Sequence, residues 1–137
     1  MPTVIRSTRL EINSSDEVAI ARRVAQEWAT QLGFGTLDRT KLVTAASEIA
    51  RNTLVHGKGG SMTIAEIELD GRSGLELVFQ DQGPGIPDIE RALTDGFSTA
   101  KSMGLGLGGT RRLVHEFDIV SEPGKGCRVR LVQWKRR

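Results

Sequence analysis

Apolar and polar residues alternate along the chain with two different periods, which divide it into strands and helices. A period of two residues, bounded by turn residues, predicts strands over 4–12, 61–69, 75–79, 119–121 and 128–134. Apolar residues at helical spacing predict helices over 18–32, 36–55, 88–93 and 105–117. The adjacent strands are close enough in sequence to form hairpins. The chain is therefore expected to be an α/β protein with a largely antiparallel or mixed sheet.

Residues that favour helix ends and turns separate these elements. Asn13-Ser14-Ser15-Asp16 is a helix start, and Gly33-Phe34-Gly35 stops the first long helix. Turns are predicted at Asp70–Gly74 and at Pro123–Gly126. Residues 94–104 have no periodicity and are rich in Gly, Ser and Thr. No internal repeat or linker interrupts the pattern, so we expect one domain over residues 1–137.

Composition and charge exclude several classes of protein. The chain has 137 residues, 38% of them hydrophobic and 26% charged, which is typical of a globular domain. Its 19 Lys and Arg against 17 Asp and Glu give a net charge of +2, and aromatic residues are scarce, so direct nucleic-acid binding is not expected. No apolar stretch suits a membrane span or a signal peptide. Cys127 is the single cysteine, which predicts the reducing cytosol and excludes an intramolecular disulfide.

The second long helix carries a carboxylate and an amide on one face. Glu48 and Asn52 are four residues apart, which places them about 40° apart beside the apolar stripe that includes Ala45 and Ile49. A carboxylate can accept a proton from a hydroxyl, and an amide oxygen can bind a hard cation such as Mg²⁺. The alternative is an ordinary amphipathic boundary with solvated polar groups.

An acidic residue followed by two glycines comes directly after the apolar strand at 75–79. In Asp81-Gln82-Gly83-Pro84-Gly85, the glycines permit close approach of a ligand or backbone, and Asp81 can accept a hydrogen bond from an exocyclic amine such as that of adenine. The alternative is a turn, for which Asp, Gly and Pro are favoured on conformational grounds alone.

A third motif, Gly104-Leu105-Gly106-Leu107-Gly108-Gly109, opens the last predicted helix. Glycines at a helix N-terminus expose unpaired N–H groups at the positive end of the helix dipole, which favours phosphate. A flexible hinge is the alternative. The spacing also satisfies a dinucleotide-binding fingerprint, but that motif needs a strand directly before it, and residues 98–103 do not form one.

The two histidines and the cysteine carry weaker signals. His56 and His115 are predicted to lie on separate helices without a matching set of ligands, so both are interpreted as surface or boundary residues rather than a metal site. Cys127 follows a turn and begins a strand. It is interpreted as a small core residue, because no histidine or asparagine partner is indicated.

The three motifs together resemble a known family. Glu48-Ile49-Ala50-Arg51-Asn52 resembles the N box of the gyrase/Hsp90/histidine-kinase/MutL (GHKL) ATP-binding fold, Asp81–Gly85 resembles its first glycine box, and Gly104–Gly108 its second. The chain is most similar to the stand-alone bacterial kinases of the RsbT-type switch kinase and anti-sigma regulatory factor families. Leu32–Gly35 and Asp95-Gly96-Phe97-Ser98-Thr99 add to that similarity. It implies a Bergerat-type fold, an α+β two-layer sandwich with a mixed β-sheet covered on one face by helices.

The resemblance also implies roles for individual residues. Asn52 would hold Mg²⁺, Glu48 would orient or deprotonate the acceptor hydroxyl, and Asp81 would bind the adenine amino group, with Gly83 and Gly85 against the base. The remaining implied ATP-binding residues are the glycine loop Gly104, Leu105, Gly106, Leu107 and Gly108, the lid residues Ser98, Thr99 and Lys101, and Cys127. Many relatives have Thr where this chain has Cys127, and a thiol is a poorer hydrogen-bond partner.

The implied function is an ATP- and Mg²⁺-dependent protein serine/threonine kinase of a stressosome-type partner-switching pathway. Its substrates would be STAS-domain proteins, and once released it would bind and activate a PP2C-type phosphatase. One alternative is an anti-sigma factor of the same fold, which sequesters a sigma subunit and phosphorylates its STAS-domain antagonist. The other is a non-catalytic module that binds ATP. None of these needs direct contact with nucleic acid or membrane.

Overall fold

A computed structural model describes residues 1–85 and 107–136, and within these ranges three helices lie with five strands. The strands are β1 (Thr3–Ile12), β2 (Gly60–Leu69), β3 (Arg72–Asp81), β4 (Glu116–Glu122) and β5 (Gly126–Trp134). The helices are α1 (Ser15–Gln31), α2 (Thr36–Val55) and α3 (Leu107–Arg111). The expected α/β class is confirmed.

The five strands form one sheet in the order β1-β2-β3-β5-β4, and every neighbouring pair is antiparallel. The long helices α1 and α2 pack on one face, so the described residues form two layers around one main core. The strands supply their inward residues to that core, among them Ile64, Leu77 and Leu131. Neither long helix, in the part of the chain that the structure describes, is long and apolar enough to cross a membrane.

Local hydrogen bonds fix both ends of α1. The Ser14 hydroxyl accepts from the Glu17 amide at 3.2 Å, and the Glu17 carboxylate accepts from the Asn13 amide at 2.8 Å, a reciprocal cap close to the capping box. At the other end, Gly33 adopts a φ of +81°, and Phe34 N donates to Ala29 O. A left-handed glycine just past the last turn ends a helix with its carbonyls satisfied. The predicted helix start and stop are therefore confirmed.

Small residues let α1 and α2 approach each other and the sheet closely. Ala21, Ala25 and Ala29 are buried on α1. The apolar stripe of α2 that helical spacing predicts around Ala45 and Ile49 is confirmed, because all the residues at that spacing are buried: Leu42, Ala45, Ala46, Ile49, Ala50 and Thr53. Burial of apolar surface stabilises the fold by about 25 cal/mol per Å². The close packing fixes α2, the helix that carries Glu48 and Asn52, against the sheet.

The hairpin between β2 and β3 is tighter than predicted. The turn is Asp70-Gly71 alone, with φ values of +54° and +77°, and Leu69 pairs directly with Arg72. Two consecutive left-handed residues match the right-handed twist of the flanking strands. As a result β3 begins at Arg72 and includes residues that had been predicted to form the turn.

The helix predicted over 105–117 is wrong beyond Arg111. α3 ends there, Leu113 N donates to Thr110 O in a turn, and β4 begins at Glu116. Phe117 and Ile119 face the core as a strand because β4 pairs with β5. Pairing with a strand far along the chain overrides a local helical spacing. His115 consequently lies outside any helix, whereas the sequence placed it on one. The helix predicted over 88–93 and the lid residues lie outside the described residues.

Candidate functional site

A cavity opens between the C-terminal half of α2 and the sheet. It is lined by α2 and its end, by the end of β3, and by β4 and β5, and it has an apolar floor that includes Ile49, Phe79 and Val129. The cavity has about 430 Å³ of space, counting its open mouth. A mostly apolar pocket with a few polar side chains suits a flat ring that carries polar edges.

Asp81 supplies the acidic group of the cavity from the last position of β3. Its Oδ1 accepts hydrogen bonds from Gly83 N at 2.9 Å and from Cys127 N at 3.2 Å, so two backbone amides fix the carboxylate. Burial raises the pKa of Asp81 above its ordinary value, and the two amide donors oppose that rise. Asp81 therefore presents an oriented acceptor to the cavity rather than a solvated surface charge.

The glycines after Asp81 make backbone contacts that no other residue would permit. A Cβ at Gly83 would lie 2.7 Å from Gly57 Cα. Gly85 has a φ of +78°, and a Cβ there would collide with the carbonyl oxygen of Glu122. Of the two, only Gly85 lines the cavity. Close backbone packing accounts for both glycines within the described residues, and their predicted contact with a base stays a prediction.

Asn52 and Glu48 lie on α2 but have different surroundings. Asn52 is buried and lines the cavity, and its side-chain oxygen accepts no hydrogen bond among the described residues, although other atoms of Asn52 make contacts. The Glu48 side chain is 39% exposed and forms a 2.9 Å ion pair with Arg51. Glu48 does not line the cavity itself. The carboxylate therefore lies one helical turn from Asn52, on the solvent side.

Cys127 and Leu107 bound the cavity on its other sides. The Cys127 thiol is partly buried, which raises its pKa to about 11, so the thiol is protonated at neutral pH. Leu107 is buried at the start of α3 and lines the cavity, and Gly108, which is also buried, does not line it. The other predicted members of the glycine loop and lid lie outside the described residues: Gly104, Leu105, Gly106, Ser98, Thr99 and Lys101.

Comparison with known proteins identifies the family of this chain. The family described as Histidine kinase-like ATPase domain matches residues 13–133. The chain is 40% identical over 120 residues to the serine/threonine-protein kinase RsbT of Bacillus subtilis (strain 168), which covers 88% of this chain and 90% of that protein. It is 32% identical over 124 residues to the anti-sigma F factor of Geobacillus stearothermophilus, covering 85% and 84%. The chain belongs to the histidine kinase-like ATPase domain family.

A solved structure has a similar fold. The RsbU and RsbW domains of Rv1364c from Mycobacterium tuberculosis match with a TM-score of 0.61 at 21% identity, covering 96% of this chain and 33% of that one. At that identity the match supports the fold alone. The resemblance drawn from the three motifs is confirmed, and with the 40% identity over most of both chains this member of the histidine kinase-like ATPase family is a protein serine/threonine kinase.

Three residues outside the predicted site also line the cavity. Thr53, His56 and Gly57 line the cavity beside Asn52. His56 lies four residues after Asn52, on the same face as Glu48 and Asn52, so helical periodicity alone could have indicated it. Its interpretation as a boundary residue agrees with its partial burial. Gly57 gave no periodic signal, because its importance depends on what it touches across the fold.

The donor set suits ATP better than a metal held by protein alone. In the described ranges, no cluster of three or more His, Cys, Asp or Glu side chains could hold a metal ion. Mg²⁺ usually takes one or two protein oxygens and completes its shell with phosphate and water. A buried amide oxygen at Asn52, an oriented carboxylate at Asp81 and an apolar floor between them fit a magnesium nucleotide.

Proposed function

We propose that this chain is a cytosolic, Mg²⁺-dependent kinase domain, spanning residues 1–137, that phosphorylates STAS-domain proteins in a bacterial partner-switching pathway of the stressosome type. When released from the STAS complex, it binds and activates a PP2C-type phosphatase. The observation that carries the proposal is that Asn52 and Asp81, from two separate motifs, line one cavity in a chain 40% identical to RsbT.

Each side chain of the site has a proposed part in transfer. Asp81 accepts a hydrogen bond from the adenine amino group, and the apolar floor holds the ring. Asn52 holds Mg²⁺, which neutralises phosphate charge when bound. Leu107 and Gly108 belong to the loop that cradles phosphate, together with Gly104, Leu105 and Gly106, and Ser98, Thr99 and Lys101 belong to the lid.

Glu48 is the proposed base. Its partial exposure leaves it accessible to a hydroxyl on a second protein, and its carboxylate accepts the hydroxyl proton as transfer begins. The Arg51 ion pair holds Glu48 along the helix in the absence of that hydroxyl. Because the Glu48 side chain lies on the solvent side of the cavity, the acceptor hydroxyl approaches from outside while the nucleotide occupies the inside.

A second candidate function is supported by the anti-sigma F factors among the relatives. They are 30–32% identical over 84% or more of this chain and of their own lengths. The higher identity to RsbT, 40%, favours the switch kinase. The two functions differ in the partner, since only an anti-sigma factor forms a stable complex with a sigma subunit. Co-purification of a sigma factor with the tagged chain would support the second function.

The test is transfer of phosphate from γ-labelled ATP to a STAS-domain protein of the same organism, with Mg²⁺, and with retained ATP measured in the same tubes. Glu48→Ala is expected to abolish transfer and keep ATP binding. Glu27→Ala is the matched control, because Glu27 also pairs with an arginine on an exposed helix face, Arg23, far from the cavity.

Three results would change the proposal. Transfer by Glu48→Ala at the wild-type rate removes Glu48 as the base. ATP retained by the wild-type protein without transfer to any STAS protein supports the non-catalytic binding module. If the wild-type protein retains no ATP, the assignment of the cavity to a nucleotide is wrong.

A further inference from the structure

The C-terminal turn of α2 lies between Asn52 and Asp81, the proposed metal-binding and base-binding groups of the cavity. His56 N and Gly57 N both donate to the carbonyl oxygen of Asn52, at 2.9 and 3.0 Å. Gly59 N then donates to Thr53 O at 2.9 Å. Gly57 itself is buried. The position of Gly57 is therefore fixed by the same helical turn that carries the Asn52 side chain.

Gly57 lies directly against the Asp81 carboxyl group. A Cβ at this position would come 2.6 Å from Asp81 Cβ and closer still to Cγ and Oδ2. Real Cβ atoms do not approach other atoms so closely, so any side chain at position 57 displaces the carboxylate. Gly57 does not have the positive φ that favours glycine, in contrast to Gly59 and Gly85. The requirement for glycine at position 57 is therefore one of space and not of backbone conformation.

Gly83 packs against Gly57 next to the Asp81 carboxyl group. A Cβ at Gly83 would lie 2.7 Å from Gly57 Cα, so the loop after β3 packs backbone to backbone on the end of α2. Gly83 N also donates to Asp81 Oδ1. One carboxylate oxygen is thus held by amides, while the other, Oδ2, faces the space that Gly57 leaves open. Oδ2 is the oxygen left for a ligand that brings its own N–H donor.

We propose that Gly57 is a positioning residue, which by lacking a side chain holds Asp81 where its carboxylate selects purine nucleotides with an exocyclic 6-amino group. This rests on the proposed function, in which Asp81 accepts a hydrogen bond from the base. Gly57 acts through Asp81 and does not itself bond to the nucleotide. Its hydrogen bond to Asn52 O keeps the base-binding group and the metal-binding group at a fixed spacing.

The experiment compares Gly57→Ala with wild type for two ligands, ATP and purine riboside 5′-triphosphate, which lacks the 6-amino group. Dissociation constants are measured by calorimetry with Mg²⁺. Wild type is expected to prefer ATP by about tenfold or more, the effect of one hydrogen bond to a charged acceptor. Gly57→Ala is expected to lose that preference, with ATP affinity reduced about tenfold and the affinity for the analogue changed less than about twofold.

Gly35→Ala is the matched control. Gly35 precedes the first turn of the same helix, has no positive φ, and a Cβ there meets nothing within 4 Å. It is expected to keep the wild-type preference. If Gly57→Ala also keeps the wild-type preference, the proposal is wrong. If wild type binds the two triphosphates equally, Asp81 does not read the base, and the premise taken from the proposed function fails first.

A double variant distinguishes displacement of the Asp81 carboxylate from misfolding of Gly57→Ala. Asp81→Gly removes all three atoms that the new methyl would approach most closely, so Gly57→Ala/Asp81→Gly has room to fold, which thermal unfolding checks. In this background the alanine at position 57 is expected to cause no further loss of ATP affinity. A further loss of tenfold would show that Gly57 acts independently of Asp81 and would overturn the proposal.

Discussion

The backbone amide of Cys127 donates a 3.2 Å hydrogen bond to Oδ1 of Asp81, joining the end of β3 to the start of β5 through a side chain. The regular backbone register between the two strands runs as far as Gln80 and Arg128. One residue further, the Asp81 carboxylate accepts the Cys127 amide. Gly126 makes this possible, because its positive φ and missing Cβ let it approach the Asp81 carbonyl. The end of the sheet is therefore arranged around one acidic group.

Asp81→Asn is expected to weaken ATP binding about tenfold or more while the protein stays folded. The asparagine oxygen can still accept hydrogen bonds from Gly83 N and Cys127 N, which places its NH₂ group where Oδ2 was. That NH₂ group and the adenine amino group are both donors, so no hydrogen bond forms between them. Calorimetric titration with ATP measures the loss. Asp118→Asn is the control, since Asp118 is an exposed acid on β4 that pairs with Arg130. Unchanged ATP affinity would contradict the role of Asp81 in binding the base.

ATP affinity is expected to fall on acidification because the Asp81 carboxylate takes up a proton. Burial raises the pKa of Asp81, so the carboxylate takes up a proton at a higher pH than an ordinary aspartate, whose pKa is about 3.9. A protonated Asp81 loses negative charge as an acceptor. Titration of ATP affinity downward from pH 7 is expected to show this decline in the wild type. Asp81→Asn should give a flatter profile, and identical profiles would exclude Asp81 as the titrating group.

The ion pair between Asp38 and Arg136 is expected to stabilise the fold at neutral pH. Arg136 donates to both Asp38 oxygens, at 2.6 and 3.2 Å, joining the residues after β5 to the first turn of α2. Asp38 is 6% exposed. Arg136→Ala should lower the denaturation midpoint clearly, because a buried carboxylate then lacks its partner. Lys125→Ala, which removes an exposed pair with Glu122, is the control and should change it little. Equal midpoints for the two variants would contradict this prediction.

The pH dependence of this stabilisation follows from the pKa of Asp38. The hydrogen bonds from Arg136 lower that pKa in the folded protein. A lowered pKa means that the contribution is complete above the unfolded value, near 3.9, and is lost as the pH falls through the folded value. Denaturation midpoints of wild type and Arg136→Ala should therefore differ at pH 7 and converge in strong acid. A constant difference across that range would exclude ionised Asp38 as its source.

The Cys127 thiol is expected to resist alkylation near neutral pH. Its pKa of about 11 is two units above the 9.0 of an unperturbed thiol, which reduces the thiolate fraction about a hundredfold at pH 8. Iodoacetamide labelling, followed by mass spectrometry of the intact protein, should be slow when folded and fast in denaturant. Fast labelling of the folded protein would show that the thiol is neither buried nor protonated as described.

Local sequence determined the parts of this protein that depend on neighbouring residues. Ser14 at the start of α1 and Gly33 after its end fixed that helix by short-range hydrogen bonds and backbone freedom. The small and apolar stripe of α2 followed from helical periodicity, as did the shared face of Glu48 and Asn52. The three motifs also indicated the family. They follow one another along the chain in the same order as in its members, and each contains residue types that suit a nucleotide.

Tertiary structure decided the features that depend on contacts between distant residues. The segment after Arg111 became a turn and the strand β4, because pairing with β5 outweighed a helical spacing that the six residues 112–117 could not enforce alone. Gly57 showed no pattern in the sequence, since it matters only for the Asp81 carboxyl group against it across the fold. Periodicity reports which face of an element is buried, but it does not report which atoms meet there. That is why the sequence predicted the polar groups of the site while only the packed structure showed how their positions are fixed.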